Sequence, residues 1–126
     1  MISCDIERKW SSNWISAGFC LNNWQAPARP APYFRRAFEW DGRGEAVVYL
    51  CGLGYYELYL NGEKVGDHVL DPIVTNYDLR ARYVVYDVAA YLKPGRNTVG
   101  VVLGTGWYDH VDADVWNFDH AAWRDR

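Results

Sequence analysis

A chain of 126 residues is one domain's worth, and with half of it hydrophobic, global disorder is excluded. A net charge of −3 argues against nucleic acid, which needs clustered Lys and Arg, and no run approaches the ~20 apolar residues of a membrane span. Seven Trp and ten Tyr suit either a β-sandwich core or sugar binding, because C–H-rich sugar faces stack on rings.

Residues 1–31 read as an irregular N-terminal segment. The opening "MISCDIERKWSSNW" has no basic-then-apolar leader pattern, so a cytoplasmic location is expected. "QAPARPAP" at 25–32 is a proline-stiffened lead-in to a β-sandwich domain spanning 32–126. From there the pattern has period two. "YFRRAFEW" (33–40) sets Phe34, Arg36, Phe38 and Trp40 on one side, and "DGRG" (41–44) is a turn. "EAVVYLC" (45–51) is apolar almost throughout, which predicts a central strand or one buried on both sides.

"YYELYLNGEKVG" (55–66) is a hairpin signature. Tyr56, Leu58 and Leu60 form one face, and Asn61-Gly62 is a dipeptide that tolerates positive φ in a tight turn. A longer loop follows at 67–80, then strand-like "ARYVVYDV" (81–88). Asp87 is placed to cap one helical turn that Pro94-Gly95 ends, and "NTVGVVLG" (97–104) is the last clear strand. Short strands with frequent turn signals and no long helical pattern predict an all-β, antiparallel β-sandwich.

The search for catalytic chemistry is mostly empty. The phosphate-binding, serine-hydrolase and zinc-protease motifs are missing, and "GLG" (52–54) and "GTG" (104–106) read as turn or bulge glycines. Cys4, Cys20 and Cys51 have no metal spacing and no activating neighbour, and Cys51 reads as a small buried hydrophobe. Glu39, Glu45, Glu57 and Glu63 offer no selected pair for glycoside hydrolysis, which needs two carboxylates about 5–10 Å apart across a cleft.

"GWYDHVDADVWNFDHAAWRDR" (106–126) is the richest stretch. Asp109, His110, Asp112, Asp114, Asp119 and His120 could supply metal ligands, with calcium the better-suited ion. The spacing lacks both the glycine and terminal Glu of a calcium loop and the pairs of a zinc site, so no metal is expected. Trp107, Trp116 and Trp123 would together expose a large apolar patch unless they pack on the sandwich, cover another domain or line a sugar site.

Taken together, "APYFRRAFEW", "GYYELYLNGEKVGD", "YDVAAYLKPGRN", "LGTGWY" and "VWNFDHAAWRDR" resemble the N-terminal domain of bacterial α-L-rhamnosidases, glycoside hydrolase family 78, over residues 31–126. The resemblance implies a jelly-roll, galactose-binding-like sandwich beside a large α-helical barrel in the same polypeptide. The barrel would carry the acidic residues of an inverting hydrolysis of terminal α-L-rhamnosides. It implies a non-catalytic domain that recognises a rhamnose-containing glycan, or one that is purely structural and braces the barrel. A jelly-roll domain of another glycosidase, such as a β-galactosidase, is the further alternative. The candidate sugar contacts are Trp107, Tyr108, Asp109, His110, Trp116 and Asp119, which combine stacking faces with polar partners. The chain departs from the pattern at Ile73-Val74, where relatives tend to carry Gly-Trp. Because relatives continue into another strand after the "WR.R" run, one or more last strands are expected to be missing.

Overall fold

The computed structural model describes residues 11–17 and 30–108. Within the second stretch lie β1 (Tyr33–Trp40), β2 (Val47–Leu50), β3 (Tyr56–Leu60), β4 (Glu63–Lys64), β5 (Val84–Asp87) and β6 (Gly95–Leu103). A 3-10 turn, Ala89–Tyr91, joins β5 to β6; its N-cap position is Val88, which makes no side-chain cap bond, and Asp87 one residue earlier, where a cap was expected, accepts the Ala89 N–H at 3.1 Å. All pairings are antiparallel, in a four-stranded sheet ordered β1-β6-β3-β4 and a two-stranded sheet of β2 and β5. Both sheets supply one core, which is the all-β sandwich expected from the period-two pattern.

Strand alternation decides what that core contains. Tyr56, Leu58 and Leu60 of β3 are each at most 3% exposed and pack with Val65, Tyr86 and Val88. Their β6 partners Leu103, Val101 and Val99 point the same way by register, and Val48, Leu50 and Val84 close the cluster from the second sheet. The β1 set Phe34, Arg36, Phe38 and Trp40 shares this side, opposite Val101, Val99, Asn97 and Gly95. Only Phe38 of that set joins the cluster, while Arg36 stays exposed, because the described second sheet is narrower than the first.

One expectation needs correcting. Among the described residues β2 pairs with β5 alone, and Val47 is 41% exposed, so the strand is not covered on both faces. Its outward side is nevertheless apolar, and Tyr49 meets the Tyr83 ring at 5.9 Å. An apolar run therefore marked a strand without marking two-sided burial.

The chain reversals are tied together by Asn97, which is 1% exposed. Its Nδ2 donates to the carbonyls of Lys93 (2.7 Å) and Gly95 (2.9 Å). Its Oδ1 accepts from the Lys93 N–H (3.0 Å) and from Asn61 Nδ2 (2.8 Å). Asn61 also donates to the Tyr91 carbonyl at 2.9 Å and accepts the Thr98 N–H at 3.0 Å. Asn61 and Gly62 have φ of 53° and 90°, the left-handed pair that a tight two-residue hairpin demands. Every polar atom of the buried amide is satisfied; its partners belong to two reversals, the Asn61-Gly62 hairpin and the Pro94-Gly95 turn, and Asn61 carries the link on to the 3-10 turn at Tyr91.

Replacing Asn97 with Ala strands several of these groups. At about 1–3 kcal/mol for each buried group left unpaired, the expected loss is ~3 kcal/mol, read as a lower urea midpoint with an unchanged slope. A midpoint within error of the parent would show that water replaces the amide at no cost.

Candidate functional site

Two of the six candidate sugar contacts, Trp107 and Tyr108, belong to the described residues, and both are half-buried. Asp109, His110, Trp116 and Asp119 lie outside them, as do the other tail residues considered as metal ligands. Among the described residues, no three His, Cys, Asp or Glu side chains converge as a metal would require.

Backbone contact brings the chain to Trp107 and Tyr108. After β6 the Gly104 N–H donates to the Tyr55 carbonyl at 2.6 Å, and a Cβ on Gly54 would run into the Gly104 carbonyl oxygen. A Cβ on Gly106 would come within 3.0 Å of the Gly54 Cα. None of these three glycines has positive φ. Gly54 and Gly106 are thus close-approach glycines that let two backbone segments touch, where turn or bulge glycines were expected.

Beyond this contact the Tyr108 ring meets Tyr77 edge-on, centroids 5.4 Å apart at 88°. Burial, with Tyr55 and Cys51 close by, pushes the Tyr77 hydroxyl above its ordinary pKa. Burial likewise raises the Cys51 thiol, the opposite of an activated nucleophile and in keeping with its reading as a hydrophobe.

Tyr77 sits on a loop whose own bonds hold it in shape. The Asn76 carbonyl accepts the N–H groups of Leu79 and Arg80, both at 3.0 Å, and its Oδ1 accepts the Asp78 N–H at 3.1 Å. Thr75 Oγ1 donates to the Arg80 carbonyl at 2.7 Å. Upstream, the loop is fixed to β3 by the Tyr56 N–H donating to the Asp71 carbonyl (3.0 Å). The Asp71 carboxylate meets His68 Nδ1 at 2.6 Å and the Tyr86 hydroxyl at 3.3 Å. That hydroxyl lies equally close to the hydroxyl of Tyr56, which in turn reaches the Leu50 carbonyl at 3.3 Å. A polar path thus runs from a half-exposed His68 into the core. Residue spacing had not revealed it, because only the His68–Asp71 pair is local in sequence.

On the outer side of the four-stranded sheet, Glu57 accepts from Lys64 Nζ at 2.7 Å and from the Tyr59 hydroxyl at 2.6 Å. The lysine bond first, and the tyrosine bond second, hold this carboxyl below its usual range. A general acid for glycoside hydrolysis needs the reverse shift. Asp41 and Asp87 accept backbone N–H groups in turns, and Asp71 is spent on His68 and Tyr86.

The profile of the α-L-rhamnosidase N-terminal domain matches residues 43–126, more than half of the chain. The chain belongs to this domain family. An α-L-rhamnosidase of Formosa agariphila is 54% identical over 79 residues, 62% of this chain and 8% of that protein. The crystal structure of the Aspergillus terreus α-L-rhamnosidase superposes with a TM-score of 0.62 at 42% identity, over 67% of this chain and 10% of that one. The Streptomyces avermitilis α-L-rhamnosidase, solved in complex with L-rhamnose, gives 0.58 at 34% identity, over 63% of this chain and 8% of that one. The chain therefore spans about a tenth of the length of the rhamnosidases it matches.

The tyrosines of this rhamnosidase domain give it a pH signature. Burial foremost raises the hydroxyl pKa of both Tyr56 and Tyr86 above the ordinary value. The unfolded chain therefore releases these protons first. The stability they confer is complete below pH ~10 and is lost as pH rises beyond it. Urea midpoints measured across that range should fall for the parent and fall less steeply for Tyr86→Phe, and parallel curves would remove Tyr86 as a contributor.

Proposed function

We propose that this chain is a non-catalytic carbohydrate-recognition domain of an inverting α-L-rhamnosidase, whose acid and base reside in a catalytic barrel of the same polypeptide. The family match carries the reading, since it takes in the Trp107–Tyr108 segment. The engagement of Glu57 and Asp71 in structural bonds supports the non-catalytic part. The complex of the Streptomyces relative with L-rhamnose suggests the ligand class. In this reading Trp107 and Tyr108 supply stacking faces, with Asp109, His110, Trp116 and Asp119 as the polar and aromatic complement.

A second reading, a domain that braces the barrel, is favoured by one observation. Val69, Leu70, Ile73 and Leu79 are 70%, 66%, 63% and 76% exposed, all on the loop that Asn76 and Asp71 hold in shape. Apolar side chains displayed this densely suit contact with another protein surface.

Titration of the chain with L-rhamnose separates the two. Recognition predicts a saturable change in Trp fluorescence that Trp107→Ala diminishes. No change at tens of millimolar sugar would leave the bracing role.

A further inference from the structure

The described glycines divide by what requires them. Gly42, Gly44, Gly62, Gly66 and Gly95 have positive φ, Gly52, Gly54 and Gly106 are pressed against neighbouring atoms, and Gly104 lies past β6 with its carbonyl against Gly54. Gly100 belongs to none of these. It lies within β6, paired with Arg35 of β1 on one side and Tyr59 of β3 on the other. A Cβ there would meet nothing nearer than Tyr59 Cβ at 3.8 Å and the Phe34 carbonyl oxygen at 3.9 Å, which is ordinary contact. A glycine inside a strand weakens it and packs nothing, and such positions mark bulges, bends or sites of close approach. The β6 ladder runs unbroken through Gly100 on both sides, so neither a bulge nor a sheet corner accounts for it.

What surrounds Gly100 supplies the chemistry. Register places Gly100, Arg35 and Tyr59 on the sheet face opposite Leu58, Val99 and Val101, with Tyr33, Val102 and Glu57 forming the next row. Tyr33 is 79% exposed. Glu57 is oriented by Tyr59 on one oxygen and Lys64 on the other, and each oxygen keeps a lone pair for a further donor. Register thus sets Gly100, which carries no side chain, among a tyrosine, a bonded carboxylate and two cationic residues. A phosphate there would meet Glu57, and an apolar peptide would meet three charged groups. A neutral polyol with one C–H face satisfies all of them.

We propose that this outer face is a saccharide platform. A pyranoside lies over Gly100, its C–H face on Tyr33 and its hydroxyls bonded to Arg35 and the Glu57–Lys64 pair. The inference rests on the carbohydrate reading above for its ligand class, and it places the contacts on the sheet instead of at the Trp107–Tyr108 end.

The test follows amide chemical shifts of the 126-residue chain, and of Gly100→Val and Tyr33→Ala, during titration with methyl α-L-rhamnoside. The parent should respond at Tyr33–Arg35, Glu57–Tyr59 and Gly100–Val102. Gly100→Val should melt no lower than the parent, since Val suits a strand, yet bind about tenfold or more weakly. Tyr33→Ala, at an exposed position, should weaken binding without altering the melt. Parent-like binding by both variants, or shifts confined to Trp107 and beyond, would overturn the platform and retain a carbohydrate-binding domain. No response anywhere would overturn both.

Discussion

One buried amide, that of Asn97, holds together the reversals from which this sandwich is built. It sits where the Asn61-Gly62 hairpin, the 3-10 turn and the Pro94-Gly95 turn converge, and it bonds to groups from each side of that junction. A hydrophobic residue of the same size would leave those groups without partners, because the turns have no ladder to satisfy them. The amide's four bonds are worth little individually against water. Their value lies in the cost of any arrangement that leaves them unmade. Tyr91, at the end of the 3-10 turn, extends the junction when its hydroxyl accepts the Gly66 N–H at 3.2 Å, so the tip of the β3–β4 hairpin and the chain leaving β4 are anchored to the same turn.

Around that junction the two sheets are unequal. Among the described residues six hydrophobic side chains are buried, three of them on β3, so the described core centres on one strand. β1 is held chiefly by its eight-residue ladder with β6, since most of its core-side residues remain half-exposed or exposed. The same asymmetry leaves three surfaces for work: the outer face of the wide sheet, the apolar loop at 69–79 and the aromatic end at Trp107–Tyr108.

Much of the fold was legible in the sequence because strands write themselves at period two. "YFRRAFEW" coincides with β1 to the residue, Tyr56, Leu58 and Leu60 are the buried face, and Asn61-Gly62 is the left-handed turn. Legibility failed wherever a residue is defined by a distant partner. Gly54 meets Gly104 and Tyr77 meets Tyr108 across separate segments, and Asp71 joins Tyr86 from another strand, so no local spacing encodes them. The candidate site was legible only as composition. Aromatic excess in the tail drew attention to Trp107 and Tyr108, while the loop residue that meets Tyr108 carried no signal of its own.

The glycine contact at Gly54, Gly104 and Gly106 bears on how this domain tolerates sequence drift. Where side chains set the direction of a departing segment, substitutions can retune that direction by small steps. Here backbone lies on backbone, and the line on which the chain leaves toward Trp107 is set at the glycines before the Tyr77–Tyr108 ring contact is reached. The angle at which Trp107 and Tyr108 are presented is therefore inherited as a unit. It is altered in one step by gaining a single methyl group at Gly54 or Gly106.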